Sequence, residues 1–264
     1  PRILPKQEPL PVYPEQTEEQ RGAHSQWYAR DLPRTRLSDF LETCVKERLK
    51  RRGFDKAVDE VTVRLVSNID THMEVPTPIS DNLATKDGMK IPSFLPYRQK
   101  CILLFQRVEG IDVCLFCLYV QEFDGSCPEP NRNRVYIAYL DSVEYFRPME
   151  ARTLVYHEIM VGYLKWAQMR GFKFGHIWAC PPQRGDNFIF WCHPSMQRTP
   201  SRERLNTWYT TMLRRCTLLG VIDTPESMYA GFFSQHAKAV RDESMQRKAA
   251  QNLNLSVASL SRTN

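Results

Sequence analysis

No uninterrupted apolar run of about 18 residues, the length a membrane-spanning helix needs, occurs in the sequence. Even its longest apolar segment, after Glu150, is broken by His157-Glu158 and Lys165. That absence excludes a spanning helix, and no membrane partner is expected. Regular cysteine spacing is missing too. Cys44, Cys101, Cys114, Cys117, Cys127, Cys180, Cys192 and Cys216 are scattered through apolar runs, which points to reduced core thiols in a cytosolic or nuclear compartment rather than a disulfide framework. Cys114 and Cys117 have a metal or redox spacing but lie in a strand-like run without a second pair or a neighbouring histidine, so they read as core filling. Cys180, Cys192 and His193 make no better metal cluster, because adjacent Cys192 and His193 cannot converge on one ion and no carboxylate is close in sequence. No metal is expected in this chain. Large apolar groups are scarce before Trp27, where Pro1, Pro5, Pro9, Pro11 and Pro14 give the composition of an irregular arm, expected over residues 1–30. Aromatic residues are absent from Arg241 to Asn264, and a polar tail, disordered or weakly helical, is expected over 236–264. The first residue is Pro1, so a fragment or processed chain is expected, with any targeting signal outside it.

What is present suits a globular domain. The 264 residues are 42% hydrophobic with a formal charge of +6, enough for a sizeable core and compatible with an anionic ligand without naming one. Lysine and arginine are denser at Lys46–Lys56 and at Arg198–Arg215. Solvated helix faces account for both better than a nucleic-acid patch, and no direct nucleic-acid site is expected.

The stretch from Arg134 to Tyr209 organises the chain. Arg134–Leu140 reads as a strand that leaves through Asp141-Ser142. A helix is expected from about Glu150 to Arg170, stopped by Gly171. Leu154, Val155, Tyr156, Ile159, Met160, Val161, Tyr163, Leu164 and Trp166 leave it almost no polar face, so it should be buried. A strand at Phe172–Ala179 follows, then a possible third at Asp186–Trp191, then an amphipathic helix from near Ser201 to Gly220 carrying Leu205, Trp208, Tyr209, Met212, Cys216 and Leu219. Upstream, a surface helix is expected from Leu37 to Gly53, a strand at Val61–Ser67, a polar excursion over Asn68–Phe94, and a hairpin of Cys101–Val108 and Ile111–Phe123 turning at Glu109-Gly110. The expected architecture is α/β (α+β), a central mixed sheet flanked by helices with one long buried helix.

A strand end at Asp141-Ser142, followed by Arg152 and Thr153 at a helix start, is a physically good anion site. Unpaired amides of the first turn and a guanidinium both face negative charge there. Plain capping by Thr153 with a surface arginine explains the same residues. Trp208 and Tyr209 fall on an apolar stripe, where core packing is the simpler account. Asp112, Glu122 and Asp124 read as solvent-facing strand residues.

Specific motifs then narrow the reading. Tyr-Leu-Asp-Ser-Val (139–143), Phe-Arg-Pro (146–148), Arg-Thr-x-Val-Tyr-His-Glu-Ile (152–159), His-Ile-Trp-Ala-Cys-Pro-Pro (176–182), Cys-His-Pro (192–194) and Trp-Tyr (208–209) resemble the catalytic domain of the CREB-binding-protein type of histone acetyltransferase. The likeness extends upstream through Asp-Leu-Pro-Arg-Thr (31–35), Phe-Leu-Pro-Tyr-Arg (94–98) and Val-Gln-Glu-Phe (120–123), and covers roughly residues 30–235. The opening at 29–35 and Arg-Gly-Phe at 170–172 are similar to its plant-like branch.

The resemblance implies an acetyl-CoA-binding, acetyltransferase-like fold over 31–235 and acetyl transfer from acetyl-CoA to lysine ε-amino groups of histone tails. It also implies a nuclear coactivator that meets chromatin and transcription factors. It carries cofactor contacts onto Leu140, Asp141, Ser142, Arg152, Thr153, Arg198, Thr199, Arg204 and Trp208. Tyr209 becomes the general acid on the departing sulfur, with Trp178 positioning it. Two departures stand out. Arg198 replaces a common lysine and keeps its charge. After His236 nothing resembles the family's aromatic-rich C-terminal element, so the C-terminal part of the domain is expected to be missing. A catalytically inactive acetyl-CoA-binding or scaffold fragment is therefore the alternative expectation.

Overall fold

A computed structural model describes residues 28–82, 88, 90–181, 183, 189–190, 193–232 and 255–259. The elements are α1 (Arg36–Arg51), α2 (Asp55–Val58), β1 (Val61–Glu74), α3 (Thr77–Asn82), β2 (Phe94–Val108), β3 (Ile111–Phe123), β4 (Arg134–Ser142), α4 (Arg152–Met169), β5 (Phe174–Ile177), α5 (Arg202–Leu218), β6 (Glu226–Ser227), α6 (Met228–Phe232) and β7 (Leu255–Ser259). The sheet order is β1-β2-β3-β4-β5-β7-β6. β1 to β4 form an antiparallel meander, whereas β4 and β5 run parallel with Ile137 opposite Ile177. Parallel neighbours need a crossover, and α4 supplies it. The expected mixed sheet with flanking helices is what forms.

α4 is the buried helix. Every residue from Val155 to Leu164 is buried, and Ala167 with them. Ile159, Met160 and Leu164 are at most 1% exposed, and each fully buried side chain of this size contributes about 2 kcal/mol. α1 begins on a capping box between Thr35 and Ser38, and lays Leu37, Leu41, Val45 and Leu49 inward. It is thus a surface helix on one face only. α4 and α5 stop where glycine accepts a left-handed backbone, at Gly171 (φ 88°) and Gly220 (φ 66°).

Several expectations are corrected. The Asn68–Phe94 excursion is shorter than expected, because β1 continues to Glu74 against Phe94 and α3 follows. Both faces of this distal ribbon are largely exposed, so its sequence lacks the alternation that a half-buried strand shows. Glu122 is buried rather than solvent-facing. It accepts from Tyr163 Oη at 3.2 Å and pairs with Lys100, so its carboxylate is neutralised inside the core. Five residues of the tail are neither disordered nor helical. Leu255–Ser259 form β7, with Phe174 opposite Ser259 and Gly175 opposite Ala258, covering an edge of β5 that would otherwise be open. The expected strand at Asp186–Trp191 and most of the arm and tail lie outside the described residues.

Gly162 marks the closest approach of α1 to α4, where an added Cβ would lie 3.0 Å from Leu41 Cδ2 and 3.7 Å from Cys44 Sγ. Gly162→Val is expected to cost about 1–3 kcal/mol through overpacking, read as a lower thermal midpoint. Gly162→Ala is expected to be milder, since Leu41 can rotate away.

Candidate active site

β4 and β5 are parallel, so their C-terminal ends open on one edge of the sheet, and the chain leaving β4 enters α4 at that edge. In open α/β sheets ligands sit outside the carboxyl ends of the strands. Leu140, Asp141 and Ser142 end β4, and Arg152 and Thr153 begin α4. Trp178 follows β5 directly. Arg198 and Thr199 precede α5, Arg204 stands in its first turn, and Trp208 and Tyr209 lie further along it.

The anion-site reading gains from the cap. The helical cap residue of α4 is Ala151, which has no side-chain hydrogen bond, and Thr153 is exposed, so capping by Thr153 does not occur. Among the described residues Arg152 pairs with Glu144, at 3.7 Å. Arg198 and Arg204 are exposed and have no ion pair among the described residues. Arg152 thus stands at the start of the 18-residue α4, and Arg198 and Arg204 bring two exposed cations at the start of α5. The donor set fits the phosphates of a coenzyme A derivative.

Asp141 has a structural job at the end of β4. Its carboxylate, only 8% exposed, accepts from the amides of Ser142 (2.8 Å), Ile189 (3.1 Å) and Phe190 (3.1 Å), and Oδ1 lies 2.7 Å from His193 Nε2. The side chain therefore anchors the loop after β5 to the end of β4. Gln197, which sequence reasoning missed, does the same further along. Its Nε2 donates to Ser142 O at 2.8 Å and its Oε1 accepts from Glu144 N at 3.1 Å.

Trp208 stacks edge-on against His157 of α4 at 4.4 Å and against Tyr209 at 5.0 Å. Three phenols are buried in the core. Tyr156 donates to the carbonyls of Leu115 and Val143, and Tyr163 to Glu122. The Tyr209 hydroxyl alone has no hydrogen-bond partner among the described residues, and burial pushes its pKa up, keeping it protonated. Trp178 is 53% exposed and has no ring contact with Tyr209 among the described residues. The structure thus brings together β4's end, the start of α4, the loop at 193–199 and α5, while Trp178 stands apart.

His157 and Glu158 were also missed as a functional pair, although both sit in a quoted motif. His157 is buried with no partner for Nε2 among the described residues, and burial, then Arg215, lowers its pKa to about 4. Arg215 Nη2 lies 2.6 Å from Glu158 Oε2 but off the line a hydrogen bond needs, and burial still holds the Glu158 carboxyl above its usual range. The available signal was two polar residues inside an otherwise apolar helix.

Asp141→Ala should leave the amides of Ile189 and Phe190 unpaired at about 1–3 kcal/mol each, so hydrogen exchange at those two amides is expected to accelerate while β4 stays protected. His157 gives a pH signature. The unfolded imidazole takes a proton near pH 6.5 and the folded one only near pH 4, so its contribution is present above pH 6.5 and lost as pH falls toward 4. Denaturant unfolding should therefore show a loss on the order of 3 kcal/mol across that window that His157→Gln removes.

A family profile described as the histone acetyltransferase domain KAT3 matches residues 45–242. Histone acetyltransferase HAC12 of Arabidopsis thaliana is 42% identical over 226 residues, covering 78% of this chain and 13% of that protein. Probable histone acetyltransferase HAC-like 1 of Oryza sativa subsp. japonica is 44% identical over 224 residues, covering 78% and 13%. Protein cbp-1 of Caenorhabditis elegans is 42% identical over 192 residues, covering 72% and 9%. The chain thus spans about an eighth of the length of its plant relatives. With three quarters of it aligned to one domain profile, the chain belongs to the KAT3 histone acetyltransferase family.

Proposed function

We propose that this chain is the acetyl-CoA-dependent part of a lysine acetyltransferase acting on histone tails in the nucleus, within a chromatin-regulating transcriptional coactivator. The observation that carries the reading is Tyr209 on α5, a buried side chain whose protonated hydroxyl has no hydrogen-bond partner among the described residues, next to Trp208, which packs on His157 of α4.

Arg152, Arg198 and Arg204 would hold the coenzyme's phosphates, since guanidinium groups stay charged and bind phosphate bidentately. Thr153 and Thr199 add hydroxyl donors, and Trp208 gives an apolar wall. Leu140, Asp141 and Ser142 would line the pantetheine path at the end of β4, and Asp141 also anchors the loop after β5. Bound acetyl-CoA supplies an activated acyl thioester. The chain's own contribution is to hold a proton at Tyr209 Oη for a departing thiolate and to accept a substrate lysine that arrives already neutral. No cysteine nucleophile or carboxylate base is needed. Trp178 is assigned to positioning beside this phenol when substrates are present. Histones are the proposed substrates, as in the names of the plant relatives, and chromatin and transcription factors are proposed partners from the motif resemblance.

Transfer from labelled acetyl-CoA to a histone tail peptide tests the reading, with coenzyme binding measured separately. Tyr209→Phe is expected to lower kcat by about 100-fold or more with binding intact. Arg152→Ala is expected to weaken coenzyme binding instead. Binding without transfer by the parent chain would instead support a scaffold fragment, and a folded chain that binds no acetyl-CoA would remove the site assignment.

A further inference from the structure

A second concentration of positive charge lies where the C-terminal end of α1 meets α5. Residues 46–56 carry Lys46, Arg48, Lys50, Arg51, Arg52 and Lys56 against Glu47 and Asp55. The fold adds Arg214 and Arg215, because Glu158 of α4 reaches both Arg215 (2.6 Å) and Arg48 (3.7 Å). One carboxylate thus serves two guanidinium groups, and Nε of each is buried without an acceptor among the described residues. Burial, and then the charges of Arg215, Arg52 and Arg51, hold Arg48 below the usual arginine range, and Glu158 offsets only part of this.

Little else neutralises the cluster. Lys46 pairs with Glu42, but Arg51 meets Glu47 only at 3.8 Å with both side chains more than 60% exposed, where a pair contributes little. Lys50, Arg52, Lys56 and Arg214 are exposed and make no ion pair among the described residues. A cleft of about 520 Å³ opens beside them, lined by Arg51, Arg52, Gly53, Phe54, Glu150 and Leu154. The negative end of a helix dipole favours cations in its last turn. That explains Lys50 and Arg51, but not Lys56 beyond the helix or Arg214 on another one.

We infer that this corner binds the phosphate backbone of duplex DNA, as a docking surface separate from the coenzyme site. The cations are spread over a helix end, the turn after it and a second helix, which suits a linear polyanion better than a compact one. Arginine forks match phosphate oxygens whatever the base sequence, so the contact is sequence-independent. Glu150 and Leu154 in the cleft flank Arg152 in the same turn. A duplex docked here therefore lies beside the proposed transfer site, where a substrate tail leaving DNA-wrapped protein would enter. That last step rests on the proposed function, whereas the DNA contact itself does not.

Fluorescence anisotropy with a labelled duplex of about 20 base pairs tests it, as a titration repeated over salt concentration. Neutralising about three phosphates predicts a log–log slope near −3. The Arg51→Ala/Arg52→Ala variant is expected to bind about tenfold or more weakly, with a slope shallower by about 2. Lys50→Ala/Lys56→Ala, changed only at exposed positions, should fall in the same direction. Saturating coenzyme A should leave binding unchanged, and acetyl transfer to a free peptide should be the same in both variants as in the parent. Absence of binding at low salt, parent-like binding by both variants, or displacement by coenzyme A would each overturn the inference. DNA binding by a parent chain that transfers no acetyl group would uphold it while removing the proposed activity.

Discussion

The enclosure of α4 is the constraint on which the rest depends. A helix with ten consecutive buried residues, Val155 to Leu164, has no face for water, so the sheet must cover one side and α1 and α5 the others. The cover is close because Gly162 lets Leu41 of α1 approach without a side chain between. Enclosure also decides what happens to the polar residues α4 carries. His157 stays neutral against Trp208, and Glu158 draws in Arg48 and Arg215. Because α4 links the parallel strands β4 and β5, its N-terminus has to emerge at the carboxyl edge of the sheet. The cationic start of the helix and the strand ends therefore meet without any separate device.

The loop that returns to α5 is fixed by hydrogen bonds rather than by apolar packing. Asp141 accepts from three amides and faces His193, and the Gln197 amide both donates to Ser142 and accepts from Glu144. A charged acceptor of backbone amides makes stronger bonds than a neutral one. Two side chains thereby hold the path from β4 to Arg198 and Thr199. Charge complementarity toward an anionic ligand requires such prior ordering, since donors that are already placed need no reorganisation when charge arrives.

Much of this could be read from the sequence, for identifiable reasons. α4 was legible because its apolar residues leave no polar face, and α5 because Leu205, Trp208, Met212 and Cys216 repeat at helical spacing. The β2–β3 hairpin was legible from Glu109-Gly110 between apolar runs. What escaped were pairings between distant residues. The loop-anchoring role of the Asp141 carboxylate was hidden because nothing local shows that Ile189 and Phe190 point their amides at it. Glu122 looked solvent-facing because Tyr163 and Lys100 reach it from other elements. β1 was cut short because its outer half is exposed on both faces and so carries no period-two signal, and β7 was hidden in a tail whose composition is polar. The Lys46–Lys56 run read as a solvated face because Arg214 and Arg215 join it only through Glu158.

The two cationic surfaces argued above both use arginine, and crowding supplies the reason. Around Glu158, two guanidinium groups lie within ion-pair reach of one buried carboxylate, and Arg48 is lowered by burial and by three like charges. Arginine starts from a pKa so high that such a reduction still leaves it charged at neutral pH, whereas a lysine in that place would relieve the repulsion by giving up its proton. At the start of α4 the demand is geometric. A planar fork can meet a phosphate while its stem lies against the helix, and Arg152 is already oriented by Glu144 rather than free to collapse onto the sheet. Positive charge can thus persist on both flanks of α4 because the residue type that carries it cannot discharge, and because Glu158 is shared between Arg48 and Arg215.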